Sequence, residues 1–456
     1  MPLAYVVLSI LGAFFLTKHC SKRIAAFVVA AWILVQPVAH HFFILDLPGL
    51  PFDLQPTRIL LIICGVLSGY YLFLRKPLKS ERRLSIMQSG FALLLLLYVL
   101  LVAVSVAWNW HSLTASNGIA IITGPLTAVL LFYVVNRAWC EKFETAIFRT
   151  IVSMGCASAL VAFIQIGINP DFLKSCPPRI AFGSVIRSSG LFNSEYDFAY
   201  FQILALVIVA ETFRPSKLKT SLALILILSV ACTFHRMATI AFFVVSAVYL
   251  MKYASPSRMA FVLTLMLATI CIALPLFFAI EGLRSSDFAK DRLFQDTATG
   301  RIDQYIKIAR EIPRNLLGVA DATSEKFFQI SKKNDLLQSY EYAEGQWAVR
   351  PYRVHNGYLE AGINFGPFGL CLFTFLLLAP MINFWTSIQC AGRIALMTSL
   401  TLLIANLTNG ISTLSLYLPL LLSLLVSAAL RREQMARESS DPHCRVAARP
   451  FSNIIP

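Results

Sequence analysis

Long apolar runs separated by short polar loops follow one another along the whole 456-residue chain. A transmembrane helix needs about 20 apolar residues to cross the hydrocarbon core of a bilayer. The pattern predicts an all-α, polytopic membrane bundle of about 12–13 transmembrane helices, with one long, partly helical loop on the outer side. The candidate spans are 3–17, 24–46, 58–75, 88–110, 118–136, 148–168, 196–213, 218–234, 238–251, 259–281, 361–386, 394–409 and 412–430.

Composition supports this class and excludes others. The chain is 57% hydrophobic and only 14% charged, whereas a soluble domain averages about 25% charged residues. The net charge is +15, but the basic residues mostly lie in short clusters between the apolar runs. That distribution is typical of a protein embedded in a lipid bilayer, and we expect no nucleic acid as a partner.

The distribution of Lys and Arg predicts the orientation. If the spans alternate, all the strongly basic loops fall on one side, which the positive-inside rule assigns to the cytoplasm. Loop 111–118, on the opposite side, carries no Lys or Arg. Two longer segments, 169–195 and 282–355, then lie outside. The basic loops are 18–23, 76–83, 214–219 and 431–437.

Part of the long outer loop has a helical period. Ile302, Ile306 and Ala309 share one face, with Tyr305 beside them. Thr299 is a candidate N-cap, and Pro313 marks the end of the segment. We predict an amphipathic helix lying at the membrane surface.

Arginines and one histidine interrupt the apolar pattern on the outer side. A single Arg near a helix end commonly extends its charged group to the interface, and that interpretation stays open for Arg187. Arg236 has almost no loop around it, and a charge facing lipid at a helix centre costs roughly 2.5 kcal/mol or more. Arg301, beside Gly300 at a helix start, suits a phosphate. His355 follows Arg353 at the start of another span.

Together these residues indicate anion binding by arginines and proton handling by an imidazole. No Asp-rich motif accompanies them, and the cysteines form no metal-binding pattern. Arginines could neutralise a pyrophosphate leaving group without a metal. We therefore expect neither a metal nor any other cofactor.

Four segments at these positions resemble the O-antigen ligase and Wzy-type polysaccharide polymerase superfamily. HNGYLEAGINFGPFGL resembles the family's signature after its large periplasmic loop. TGRIDQY followed by NLLGVA resembles its G-R-x-x-x-[WY] segment and the glycine turn beyond it. IRSSGLFNSEYDFA and TFHRMATIAF resemble its R-x-x-G segment and its S-R-G-A turn.

The resemblance implies a bacterial inner-membrane glycosyltransferase whose active site faces the periplasm. Such enzymes take a glycan from undecaprenyl pyrophosphate and transfer it to an acceptor glycan or to lipid A-core. The family's essential residues correspond to Arg236, Arg301 and His355, which we predict to be catalytic. We expect a further group of residues to bind substrate or hold the site: Arg187, Arg353, Asn356, Tyr358 and Tyr305.

The resemblance also divides the chain. Residues 1–168 would be N-terminal transmembrane helices, and 169–430 the ligase- or polymerase-like region with the periplasmic loop 282–355. Residues 431–456 would be a disordered cytoplasmic tail. Two departures concern the substrate: PRNLLGVA lacks the second glycine of the usual G-x-G, and an NPN-like turn reads NSE.

Several functions remain open at this point. We favour a polymerase of an exported polysaccharide, which could work with other export proteins. An O-antigen ligase and a glycoprotein oligosaccharyltransferase share the motifs. A flippase for lipid-linked oligosaccharides would place charges along a central path, whereas here they cluster at the outer boundary. A scaffold would not need an embedded Arg236.

Overall fold

The computed structural model of the protein describes most of the chain. Its described residues are 2–20, 22–42, 56–70, 86–173, 180–182, 185–192, 194–253, 297–322, 324–343, 346–351, 354–407 and 417–440. Within these ranges the dominant element is the α-helix. The helices are α1 Pro2–Thr17, α2 Arg23–Phe42, α3 Pro56–Gly69, α4 Ile86–Trp108, α5 Ala115–Ala138, α6 Glu141–Gly167, α7 Glu195–Thr212, α8 Lys217–Ala231, α9 Arg236–Tyr253, α10 Thr297–Glu311, α11 Glu325–Lys333, α12 Gly357–Phe384, α13 Cys390–Ala405 and α14 Tyr417–Ser440.

The helices confirm the predicted class of a helical, multi-pass membrane protein. Every predicted span except 259–281, which lies outside the described residues, coincides with one of these helices. Five described helices are long and apolar enough to cross a membrane by length and composition, and three shorter apolar ones accompany them. The five are the greater part of α4, and α5, α6, α9 and α12.

Two small hairpins accompany the helices. β1 (Ile180–Phe182) pairs antiparallel with β2 (Val185–Ile186) just before α7. β3 (Leu337–Ala343) pairs antiparallel with β4 (Gln346–Pro351), which leads towards α12. Such short strands leave the overall class helical, but each hairpin ends close to a predicted site residue.

Helix starts follow local chemistry. Ser194, Ser216 and Ser324 each accept a hydrogen bond from a backbone N–H in the first turn of α7, α8 and α11. A serine cap of this kind satisfies one of the N–H groups that a helix start leaves without an intrahelical partner.

The tail prediction is wrong in part. Helix α14 continues past Arg431 to Ser440, whereas we expected disorder from Arg431. The guanidinium of Arg432 lies 3.0 Å from a carboxylate oxygen of Glu144, at the start of α6. This ion pair, between residues far apart in the sequence, holds the polar end of α14 in an ordered helix.

The amphipathic helix α10 forms, with a different start. It begins at Thr297, so Thr299 lies inside its first turn and is not its cap, and it ends two residues before Pro313. Ile302 and Ile306 are exposed, while Ile308 on the opposite side is buried. Ile308 belongs to a small core shared by the loop helices and α12: Ile308, Val319, Phe327, Leu336, Val354 and Ile363.

One end of the bundle, which we call the basic end, collects ion pairs. Arg393 at the start of α13 lies 2.5 Å from Glu211 at the end of α7, and its guanidinium lies over the ring of Tyr253 at the end of α9. Lys252 lies 3.5 Å from the ring centroid of Trp385, directly after α12. The C-terminal ends of α7, α9 and α12 therefore meet here, so their N-terminal ends lie at the opposite end.

Three of the four predicted cytoplasmic loops also reach the basic end. Lys219 donates hydrogen bonds to the carbonyl oxygens of Ala210 and Phe213. The Sγ atoms of Cys20 and Cys140 are 3.9 Å apart, which brings loop 18–23 to the start of α6. With Arg432 of α14, these contacts group the basic loops on one side, as the alternation of spans predicts. Loop 76–83 lies outside the described residues.

Candidate functional site

The first motif segment, which carries Arg187, is held by side chains of α6. The Gln165 amide accepts hydrogen bonds from the Ser188 hydroxyl and the Gly190 N–H, and donates to the Gly190 carbonyl oxygen. The Ser158 hydroxyl accepts from the N–H of Leu191 at 2.9 Å. Since Gln165 and Ser158 are fully buried, the segment is fixed from within the bundle.

Gly190 is required by this packing. Its φ of +55° lies in the left-handed region that side chains rarely adopt. A Cβ at this position would overlap the Ser158 hydroxyl and lie 2.6 Å from the Ser158 carbonyl oxygen. The glycine of the R-x-x-G pattern therefore lets the chain beside Arg187 approach α6.

The second motif segment contacts the first. Residues 232–235 form a tight turn between α8 and α9, and the N–H of Ser188 donates to the carbonyl oxygen of Cys232 at 3.3 Å. Arg236 is the first residue of α9 and is exposed. Its charge thus stands where a helix presents free N–H groups, an arrangement that favours anions.

His235 lies between these two segments. It is 8% exposed, and its ring meets the rings of Tyr196 and Tyr200 edge-on, with centroids 4.5 and 5.9 Å away. Burial, and secondly the positive charge of Arg187, lower the pKa of His235 to about 3. The imidazole is therefore neutral near pH 7.

Arg187 has a carboxylate partner. Its Nη1 lies 3.6 Å from Oε1 of Glu195, which is buried in the first turn of α7. The next residue, Ser188, donates its N–H to the carbonyl oxygen of Cys232 in the turn before α9. Arg187 thus connects the start of α7 with the turn before α9.

The third and fourth segments meet at a hydrogen bond. The Tyr305 hydroxyl donates to the carbonyl oxygen of His355 at 2.8 Å. Arg301 lies one helical turn before Tyr305 on α10. The loop helix that carries one predicted catalytic residue is therefore attached to the backbone of another.

The residues after His355 hold the C-terminal end of α13. Asn356 caps α12 by accepting the N–H of Leu359 and donates to the carbonyl oxygen of Leu407. Gly357 has no room for a Cβ against Asn406, and the Tyr358 hydroxyl donates to the carbonyl oxygen of Leu403 at 2.9 Å. These contacts fix the depth and direction of the chain at His355, which is half-buried.

Helix α12 is broken at Gly366, and the loop segment around Gly318 packs against this break. Gly366 has a φ of +74° within α12, and Pro367 has no N–H to give to the carbonyl group of Ile363, four residues earlier. The N–H of Val319 donates to that carbonyl oxygen at 2.9 Å, and the N–H of Ala320 donates to the carbonyl oxygen of Asn364 at 2.7 Å. The loop thus supplies hydrogen bonds that the broken helix cannot make.

Helix α4 secures the same junction. The Ser105 hydroxyl lies between the carbonyl oxygens of Leu317 and Asn364, at 2.6 and 3.1 Å, and can donate its one proton to either. Lys326 of α11 donates to the carbonyl oxygen of Gly318 and to the side-chain oxygen of Asn109. The sequence reasoning missed these residues and Gln165, although polar side chains inside apolar spans are a signal of functional or structural importance.

The structure joins the motif residues in two pairs of segments. Arg187 and Arg236 are connected through Ser188 and Cys232, and the Arg301 helix is connected to His355 through Tyr305. Because α7, α9 and α12 all end at the basic end, their starts, with all four segments, lie at the opposite end of the bundle. Arg353 lies outside the described residues.

No group of three or more His, Cys, Asp or Glu side chains with metal-binding proximity occurs among the described residues. The described polar groups at the motif end include the exposed Arg236 at a helix start and two histidines, of which His235 is buried and His355 is half-buried.

Comparison with known families decides the class. Residues 221–374 match the model of the O-antigen ligase family, Wzy_C. Over this segment the chain is similar to the O-antigen ligase family. The matched segment includes Arg236, Arg301 and His355, and it confirms the predicted resemblance. A comparison with curated proteins finds no match. The family and the apolar helices together assign the protein to membrane enzymes of the glycan ligase or polymerase type.

Proposed function

We propose that the protein transfers a glycan from undecaprenyl pyrophosphate to an acceptor sugar hydroxyl at the periplasmic face of the bacterial inner membrane. We favour polymerisation of the repeat units of an exported polysaccharide. The observation that carries this proposal is the convergence of the four motif segments on one end of an O-antigen ligase-type bundle, opposite the basic end. The positive-inside rule assigns the basic end to the cytoplasm.

In this reaction the glycosidic C–O bond to the pyrophosphate breaks as the acceptor oxygen bonds to the anomeric carbon. Arg236 and Arg301 neutralise the charge that develops on the leaving pyrophosphate, and no metal is needed for that role. We assign donor binding also to Arg187 and, from the sequence alone, to Arg353. The leaving group departs as undecaprenyl pyrophosphate.

His355 accepts the proton of the acceptor hydroxyl, a role that a neutral imidazole can fill near neutral pH. Tyr305, Asn356 and Tyr358 hold the backbone around it, as their hydrogen bonds to the carbonyl oxygens of His355, Leu407 and Leu403 support. These three residues contribute to substrate binding by fixing the walls of the site.

The test is a transfer assay with purified protein, lipid-linked donor and acceptor. We expect Arg236→Ala, Arg301→Ala and His355→Ala each to lower the transfer rate by about 100-fold or more, the size of effect seen when one charge-stabilising group is removed. Arg310→Ala is the matched control because Arg310 is an exposed arginine of the same helix as Arg301. Full activity in both Arg301→Ala and His355→Ala would refute the assignment.

Deletion of the gene distinguishes the acceptors. Loss of polymer with single repeats retained identifies a polymerase, whereas accumulated lipid-linked polymer with bare lipid A-core identifies a ligase. A flippase would translocate the donor in vesicles without forming a new glycosidic bond, and that result would contradict both forms of the proposal.

A further inference from the structure

We infer that His235 is a positioning residue that fixes Arg236 by capping helix α9 with a ring nitrogen. This inference deepens the proposed function and rests on it, because it concerns how a predicted pyrophosphate-binding arginine is held. It assigns His235 no contact with substrate.

The cap is visible in the hydrogen bonds of the first turn. The N–H of Ala238 donates to Nδ1 of His235 at 3.2 Å, three residues on, which is the spacing of a helix cap. The hydroxyl of Thr239 donates to the His235 carbonyl oxygen at 3.2 Å. Ser216 and Ser324 make the same contact at α8 and α11, and Ser194 caps α7 through the N–H two residues on. At α9 an imidazole takes the place of the hydroxyl.

The surroundings keep the ring in the form that can cap. Nδ1 accepts a hydrogen bond only when it carries no proton, so the ring must be neutral with its proton on Nε2. The guanidinium of Arg187 and the burial between Tyr196 and Tyr200 both oppose protonation. The arginine that accompanies Arg236 in the proposed site therefore also preserves the cap beneath it.

The consequence for Arg236 follows from its place in the chain. It is the residue directly after the cap, and its side chain is exposed and pairs with none of the described residues. The backbone of the first turn, which the imidazole caps, sets the position and direction in which the Arg236 side chain leaves the helix. If the first turn of α9 frayed, the Arg236 guanidinium would point in several directions. An arginine stabilises a leaving group effectively only when it is held in place beforehand.

The test compares capping with non-capping residues at position 235. His235→Ser and His235→Asn restore a cap, and we expect both to keep the transfer rate within about 3-fold of the natural protein. His235→Ala removes the cap, and we expect a fall of about 10-fold, mainly in kcat, since cap loss corresponds to a factor of roughly 2–30. His235→Leu, which fills the space between the tyrosines but accepts no hydrogen bond, serves if the alanine variant does not fold.

A double-mutant cycle shows whether the effect passes through Arg236. In an Arg236→Ala background, His235→Ala should reduce the rate by less than about 2-fold, because no guanidinium remains to be positioned. Independent, multiplying losses would overturn the inference, and so would an inactive, folded His235→Ser variant. The latter would identify the imidazole as a group that reacts with substrate. If the natural protein forms no glycosidic bond, the proposed function is wrong. If the natural protein forms the bond but the variants at position 235 do not behave as expected, only the inference about His235 is wrong.

Discussion

The hydroxyl of Tyr305 donates a hydrogen bond to the carbonyl oxygen of His355, joining residues that are fifty positions apart. Tyr305 belongs to the loop helix α10, and His355 stands directly before Asn356, the cap of α12. A polar loop outside the bundle is thereby attached to the residue we propose as the catalytic base.

Removing this hydroxyl should affect transfer more than folding. A net hydrogen bond contributes about 0.5–1.5 kcal/mol, so we expect Tyr305→Phe to lower kcat about 2- to 10-fold. Steady-state kinetics with lipid-linked donor measure this. The control is Tyr133→Phe, because the buried hydroxyl of Tyr133 has no hydrogen-bond partner among the described residues, and its removal should leave kcat unchanged. Equal effects of the two substitutions would contradict the link.

Replacement of Gly190 should destabilise the protein. An alanine there adopts a left-handed conformation, which costs about 1–2 kcal/mol, and its Cβ overlaps Ser158, which costs about 1–3 kcal/mol more. Thermal unfolding in detergent should show a lowered midpoint for Gly190→Ala. Gly90→Ala is the control, since a Cβ on Gly90 of α4 meets no atom within 4 Å; that midpoint should stay the same or rise.

Ala320→Gly should stabilise the protein. Ala320 has a φ of +64°, at the position where the resembling pattern has a second glycine. Glycine adopts this conformation without the steric cost of a Cβ, about 1–2 kcal/mol, against an entropic loss of about 0.5–1 kcal/mol. The unfolding midpoint should therefore rise slightly. Ala309→Gly, in the exposed part of α10, should lower it, and a lowered midpoint for Ala320→Gly would show that the methyl group is needed for packing.

Acid should weaken the fold through His235. Its pKa falls from 6.5 to about 3 on folding, so between these values the unfolded chain binds a proton that the folded chain does not. Stability is therefore present above about pH 6.5 and is lost as the pH falls towards 3. The charged and titratable groups facing the ring are Arg187, Tyr196 and Tyr200, with Glu195 beyond the arginine. We expect the unfolding midpoint to fall between pH 7 and pH 4 less steeply in His235→Ser than in the natural protein. An equal dependence of the unfolding midpoint on pH in His235→Ser and in the natural protein would contradict this.

Chelation should leave transfer intact if arginines neutralise the leaving group. We expect the rate with purified components to stay within about 2-fold after treatment with EDTA, because guanidinium groups supply the charge that a metal would otherwise provide. Loss of activity that is restored by a divalent cation would refute the metal-independent mechanism.

The sequence predicted the membrane helices well because apolar length is a local property. It did not predict the break at Gly366 or the helical continuation beyond Arg431. The break depends on hydrogen bonds from Val319 and Ala320, and the continuation on a pair between Arg432 and Glu144, whose positions differ by 288. In both cases the partner residues lie far away in the sequence, so the residues next to Gly366 or Arg431 do not reveal them.

The motif pattern selected the residues of the candidate site but not the way they are held. Nothing in the sequence marks His235 as a helix cap, because its capping contact depends on the geometry of the first turn of α9. Gln165 and Ser158 are polar residues inside an apolar span, which marks them as unusual, but only the folded chain shows that they hold the segment of Arg187. The roles of Arg236, Arg301 and His355 remain predictions.

The hydrogen bonds that the loop gives to the broken helix α12 bear on how such enzymes can be recombined. A loop grafted from a relative would bring its own version of segment 316–320 to a helix shaped for this one. Gly366 has no room for a Cβ against Leu316, and the carbonyl oxygen of Ile363 accepts the N–H of Val319. The loop segment and the broken helix should therefore be exchanged together. Chimaeras that change the donor or acceptor preference should therefore transfer residues 297–367 together, and junctions placed between the loop and the helix should fail to assemble.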